Sequence, residues 1–265
     1  MGISNIGNQP DLLRKSKLGL LLLVSFLIVG CSSDRLTSNV LEPESLPSEH
    51  MVKNRTGHTA TLISDTLFDK SVLFVGGGGG SCTSEVYRID AKSELVNSES
   101  ICRLEHTATK LKDLNVLISG GLSSMKMASE TLRSAELFSI ATREFYRTGD
   151  MVTARFGHNA ILLTDDTVLI TGGFMIDGRG VKVSISSAEL YDPQIGGFIA
   201  LPSMNLSRAG HTVTLMEDGS VVLAGGTLSP ALMESYDPKK QQFELIEKTL
   251  FSRSDHTATR LKDGK

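Results

Sequence analysis

The sequence contains no tryptophan, and only four tyrosines, ten phenylalanines, seven prolines and three cysteines among its 265 residues. So few cysteines exclude a disulfide-dense scaffold held together by bridges instead of a core. Neither sign of charge dominates: 27 basic residues face 30 acidic ones, a net charge of −3. A nucleic-acid binder reads as a concentration of Lys and Arg, and none is present. The longest apolar stretch, residues 18–29, has twelve residues, short of the roughly 17–25 that a membrane-spanning helix needs. What is abundant is glycine, 25 residues, in a chain that is 40% hydrophobic. That is apolar matter enough for a large core, and it excludes a wholly disordered chain.

The first thirty residues stand apart from any fold. Arg14, Lys15 and Lys17 form a basic segment, residues 18–29 an apolar one, and Ile28-Val29-Gly30-Cys31 follows directly. The junction resembles the lipobox of bacterial lipoproteins. The resemblance implies cleavage before Cys31, acylation of that cysteine, and anchoring through its acyl chains at about 0.8 kcal/mol per buried CH₂. An ordinary signal peptide that happens to precede a cysteine is the alternative. The expected location is the cell envelope, with Ser32 behind the cysteine favouring the outer over the inner membrane. Residues 31–54, rich in Ser, Asn, Glu and Pro, read as the lipidated cysteine and a solvated tether.

The remainder is periodic. Five of the six histidines sit in the pattern Arg-x-x-His: Arg55/His58, Arg103/His106, Arg155/His158, Arg208/His211 and Arg253/His256. Successive histidines are 48, 52, 53 and 45 residues apart, and each is followed by Thr except His158, which precedes Asn159. A glycine pair comes 14 residues after three of them, at Gly120-Gly121, Gly172-Gly173 and Gly225-Gly226. In the first unit the glycines arrive later, in residues 76–80. A Glu-x-aromatic triplet recurs at Glu85, Glu136, Glu189 and Glu234, and Phe145, Phe198 and Phe243 follow the last three aromatics by seven residues.

Each unit reads as four short strands. Two apolar runs flank Asp218-Gly219 or Asp165-Asp166, signals for a tight hairpin of type I′. The glycine pair closes the second strand, where a missing Cβ permits close backbone approach. The third strand carries the triplet, and the fourth the following Phe. Four strands per unit, repeated, predict propeller blades that bury one another's faces.

These motifs, with the R-x-G-H-T-like start, the VLITGG strand end and the SAELYDP third strand, resemble the kelch-repeat family. The resemblance is to its bacterial members related to the central domain of galactose oxidase, and it spans residues 55–265. The usual Trp of the fourth strand is Phe here. The resemblance implies an all-β, kelch-type β-propeller. Units 55–102, 103–154, 155–207 and 208–252 make four full blades, and 253–265 start a fifth. Kelch propellers have more blades than this, so a partial or truncated ring is expected, with strand edges open to self-association.

The recurring Arg, His and Glu occur once per blade. Repetition spreads them around an axis instead of converging them on one centre, so they are read as structural, with each buried charge paired. No catalytic or metal motif is found, the copper ligands of galactose oxidase have no matching positions, and no cofactor is expected. Cys82 and Cys102 in the first blade suit a disulfide in an exported protein; two free thiols are the alternative. Candidate binding residues lie in the variable loops after the second strands: Lys126, Arg133, Arg179 and Lys182, with Met125, Met127, Phe174 and Met175 nearby. They would offer a basic, apolar face to an acidic partner, unless they are ordinary solvated loops. The expected function is an envelope-anchored binding module for an unidentified protein or glycan, without nucleic acid. The alternatives are a kelch-class carbohydrate-active enzyme of the epimerase or mutarotase type, which needs polar groups converging at one mouth of the channel, and a non-functional truncated paralogue.

Overall fold

The computed structural model describes residues 51–66, 69–78, 82–88, 93–97, 100–123, 130–227, 231–249 and 251–262. All of them fall in the compact unit Pro47–Lys265; Cys31, the signal-like segment and Lys126 lie outside the described residues. The described chain is all-β, with no helix among its elements. No described helix is therefore long and apolar enough to cross a membrane.

Strands β1 (Thr59–Asp65), β2 (Lys70–Val75), β3 (Glu85–Arg88) and β4 (Glu94–Leu95) form the first antiparallel sheet in that order. Next come β5 (Arg103–Leu104), β6 (Thr107–Lys110), β7 (Asn115–Ser119), β8 (Leu122–Ser123), β9 (Ala135–Ser139) and β10 (Glu144–Arg147). Of these, β6, β7, β9 and β10 make the second sheet, while β5 and β8 pair separately. The third group is β11 (Asn159–Leu162), β12 (Val168–Thr171), β13 (Phe174–Ile176), β14 (Lys182–Ser184), β15 (Ala188–Asp192) and β16 (Gly197–Leu201). Here β13 and β14 form a separate hairpin, and the other four a sheet. The last sheet is β17 (Thr212–Leu215), β18 (Val221–Ala224), β19 (Leu232–Asp237) and β20 (Gln242–Lys248). First strands lie side by side, β1 against β6, β6 against β11, and β11 against β17. The result is a propeller-like succession of four four-stranded meanders. The two small two-stranded sheets were not legible in the sequence, since neither has an alternating pattern of useful length.

Period-2 alternation sends neighbouring side chains of a strand to opposite faces, and the core follows from it. Val116 and Ile118 of β7 pack with Leu73, Val75 and Val86 of the first sheet. Leu117, between them, joins Val168, Ile170 and Tyr191 of the third. Leu169 and Leu190 in turn meet Val221, Leu223 and Tyr236 of the fourth. A middle strand is thus apolar on both faces, and one sheet has no core of its own. Each fully buried aliphatic side chain contributes about 1.5–3 kcal/mol. In the fourth strands Phe closes the packing. Phe145, Phe198 and Phe243 lie 4.9, 4.9 and 4.8 Å from the rings of Phe138, Tyr191 and Tyr236.

The hairpin turns differ from the expected type I′. Gly219 N–H donates to the Met216 carbonyl and Met216 N–H to that of Ser220, and of this turn only Gly219 has positive φ, +87°. That is a three-residue loop, a type I turn closed by one left-handed residue. Asp166, at φ +74°, does the same in the third sheet. The Asp before each left-handed residue accepts the N–H two residues on: Asp218 from Ser220, Asp165 from Thr167.

The glycine pairs join the sheets. Gly77, Gly121, Gly173 and Gly226 N–H donate to the carbonyls of Arg103, Arg155, Arg208 and Arg253, at 3.0, 2.8, 2.7 and 2.8 Å. A Cβ on Gly120 would sit 2.5 Å from the Arg155 carbonyl oxygen and 2.8 Å from the His158 ring, and Gly120 has φ +64°. Gly120→Ala is therefore expected to lower stability by at least about 2 kcal/mol. Gly178→Ala, with nothing within 4 Å, should change it by less than about 0.5 kcal/mol. Urea unfolding midpoints of the two variants check the contrast, and equal losses would refute it.

Candidate functional site

Each Arg-x-x-His segment uses its two side chains in opposite directions. The Arg turns back into its own unit: Arg55, Arg103, Arg155 and Arg208 pair with Glu85, Glu136, Glu189 and Glu234 at 2.6, 2.9, 2.7 and 2.9 Å. Both partners of every pair are nearly or wholly buried. Their remaining hydrogen-bonding capacity is spent on backbone. Glu189 accepts the N–H groups of Val152 and Thr153, while Arg155 donates to the carbonyls of Gly172 and Ser187. Buried charges paired and hydrogen-bonded in this way hold a loop in place.

The His reaches the preceding unit. Nε2 of His106, His158 and His256 lies 2.9, 2.9 and 3.2 Å from the hydroxyls of Thr59, Thr107 and Thr212. Where Asn159 replaces that threonine, His211 takes Thr171 instead, at 2.8 Å. Burial, with the adjacent Arg103 second, pushes His106 down to about 3, and burial with Arg208 does the same for His211. His158 falls well below its ordinary value by burial, aided by Arg155. These imidazoles are neutral struts at neutral pH.

One face of the unit nevertheless gathers polar chemistry. Where the strands of the second to fourth sheets begin, a cavity of about 510 Å³ is lined by Glu105, His106, His158, Phe174, Lys182 and Asp255, among others. The position before each His is Gly57, Gly157 and Gly210 in three units, all left-handed, at φ +67°, +58° and +61°. In the other two it is Glu105 and Asp255, held in the same conformation at φ +51° and +53°. A left-handed non-glycine residue carries strain of about 1–3 kcal/mol. Lys182 Nζ lies 3.8 Å from the ring centroid of Phe174 and 5.0 Å from that of Phe156. This cation–π geometry fixes the ammonium at the rim.

Of the candidate binding residues that the structure describes, Lys182 lines this cavity and Arg133 and Arg179 do not. Arg179 is exposed and paired with Asp177 at 2.9 Å. Arg133 donates to the Met151 carbonyl at 3.1 Å and lies 3.9 Å from Asp150. The rim is of mixed charge, since two carboxylates face one ammonium. Glu105 and Asp255 were not singled out in the sequence; the available signal was their departure from the glycine of the sibling repeats. Cys82 and Cys102 form a disulfide across a separation of 20 residues. Among the described residues, no group of three or more His, Cys, Asp or Glu is placed to hold a metal ion.

Removing one member of a clasp leaves its partner charged and buried. Glu189→Ala is expected to destabilise by about 3–5 kcal/mol, and an apolar replacement of both Arg155 and Glu189 by clearly less; chemical denaturation of both variants checks the order. The histidines give a pH dependence. Unfolded, they protonate near 6.5, whereas folded His106 and His211 do so only near 3. Their contribution is complete above about pH 6.5 and is lost as pH falls toward the folded values. Ordinary carboxylates titrate near 4, so a loss of stability between pH 6.5 and 5 belongs to the histidines. A flat urea midpoint over that range would contradict this.

No family model matches the sequence, and none of the curated proteins compared with it matches. Solved structures do match. One is the structure of YjhT, at 12% sequence identity with a TM-score of 0.58, covering 76% of this chain and 67% of that chain. At that identity the likeness is one of fold.

Proposed function

We propose that the chain is a cell-envelope lipoprotein, anchored to membrane lipid through acylated Cys31, whose kelch-type propeller units act as a binding module for a protein or glycan partner. The observation that carries the binding reading is the strain at Glu105 and Asp255. Both accept a left-handed backbone where the sibling units place glycine, and both line the same cavity. Two charged, exposed residues thus face one cavity at positions where the sibling units carry no side chain, and backbone strain of this kind gathers at sites. The anchoring reading is supported by the sequence alone, by the register of basic segment, apolar segment and Gly30-Cys31.

A second reading is favoured by the same cavity. Glu105, Asp255 and Lys182 converge at one mouth, as a carbohydrate-active enzyme of the kelch class requires. The histidines there do not help that chemistry, because Nε2 of each is engaged by a threonine hydroxyl.

Returning both strained positions to glycine separates site from scaffold. The Glu105→Gly, Asp255→Gly double variant is expected to gain about 1 kcal/mol or more in stability while losing its partner. A photo-crosslinking residue placed at Thr227, on the cavity rim, should give a defined adduct in cells with the native cavity, and none with the double variant. An adduct that survives the double substitution, or no adduct at all, counts against the binding module. In the same cells, palmitate incorporation that persists in Cys31→Ser would sink the anchor.

A further inference from the structure

At the other end of the strands that form this mouth, the grooves between consecutive sheets are not alike. Between the second and third sheets the groove encloses about 230 Å³. Lys112 closes it, pairing with Asp166 and donating to the Thr164 carbonyl at 3.1 Å. Deeper in, the Tyr191 hydroxyl lies 3.0 Å from Thr148 Oγ1, and Thr148 Oγ1 and Gly149 N–H both donate to the Gly196 carbonyl.

Between the third and fourth sheets every one of these ties is gone. The repeat places Thr164 where Lys112 stood, Gly219 for Asp166, Leu201 for Thr148 and Pro202 for Gly149. Among the described residues none of the four replacements makes the corresponding bond. Leu201 packs into the apolar core instead, and proline has no N–H to give. The groove opens to about 660 Å³. Tyr236, the counterpart of Tyr191, lines it while fully buried, and its hydroxyl has no partner among the described residues.

A buried hydroxyl without a partner costs about 1–3 kcal/mol, and this one has no protein acceptor among the described residues. Burial, with Asp165 and Asp237, pushes its pKa up to about 12, and the phenol is a donor at neutral pH. Facing the same groove are Asp165 and Asp218. Each uses Oδ1 for its own turn, and no bond to its Oδ2 is seen among the described residues. Hydrogen bonds from Ser220 hold the Asp218 carboxyl below the usual range, so it is ionised.

We propose that this groove is a binding site for a neutral polyhydroxylated ligand of the sugar class, separate from the mouth cavity. A hydroxyl both accepts from the phenol and donates to a carboxylate, and a ring of vicinal hydroxyls presents several such groups within reach of Tyr236, Asp165 and Asp218. A polyamine would satisfy the carboxylates and leave the phenol without an acceptor.

Saturation-transfer NMR on the full chain, with D-glucose, D-galactose and N-acetyl-D-glucosamine as probes and spermidine as the cationic comparison, tests this. Saturable transfer to at least one sugar is expected. Tyr236→Phe should weaken it about fivefold and Asp218→Asn about tenfold or more. Tyr236→Phe removes an unpartnered hydroxyl and so keeps the fold. The triple variant Thr164→Lys, Leu201→Thr, Gly219→Asp rebuilds the closed groove and should abolish transfer. The Glu105→Gly, Asp255→Gly variant should leave it unchanged, which keeps this site distinguishable from the mouth. No saturable transfer from any sugar, transfer that survives the triple variant, or transfer from spermidine alone would overturn the proposal.

Discussion

The rest of the structure depends on one close contact, the seating of an arginine carbonyl against a glycine of the preceding unit. A Cβ at Gly76, Gly120, Gly172 or Gly225 would collide with that carbonyl and with the histidine ring behind it. Because the glycine yields the space, the Arg-x-x-His segment lies flat on the neighbouring sheet. Its two side chains then have fixed destinations. The histidine reaches a hydroxyl of the neighbour, and the arginine turns back to a buried glutamate of its own unit. The apolar faces between sheets supply most of the driving force, but they are non-directional. The glycine contact sets how far one sheet lies from the next.

Much of this was legible in the sequence. Four strands per unit and close approach at the glycine pair followed from spacing, because each feature recurs at a constant offset. The turn type was missed, since Asp-Gly permits either a two-residue or a three-residue loop. The β5–β8 pairing and the β13–β14 hairpin were missed because their strands are too short to alternate. Direction was missed too: spacing could not show that the histidine bonds outward and the arginine inward. The cavity at the mouth was invisible for a different reason. Attention fell on lysines and arginines of the variable loops, whereas Glu105 and Asp255 sit inside the repeated motif itself.

The two ends of the strands depart from the repeat by opposite physics. At the mouth, glycine is replaced by a carboxylate in an unfavourable backbone conformation, so strain is added. In the groove between the third and fourth sheets, a bridging lysine, its aspartate, a threonine hydroxyl and a backbone N–H are replaced by groups that make no such bond across the groove among the described residues, so interactions are withdrawn. Both changes lower stability without touching the glycine contact, and both leave polar atoms facing a cavity.

In a protein made of equivalent units, a residue that recurs in every unit answers to a requirement that recurs there as well. The buried Arg–Glu pairs spend themselves on each other and on nearby backbone, as Glu189 does on Val152 and Thr153 and Arg155 on Gly172 and Ser187. The histidines are neutral and engaged. Chemistry is left to positions where one unit differs from its siblings, because there a polar group is released from contacts that its counterpart makes. Tyr191 and Tyr236 make the point most directly. They occupy the same place in successive sheets, one satisfied by Thr148 and the other, facing Leu201, by nothing among the described residues. The difference lies in the strand of the preceding unit and not in the tyrosine. A reading of either unit alone would miss it, and comparing the two units brings it out.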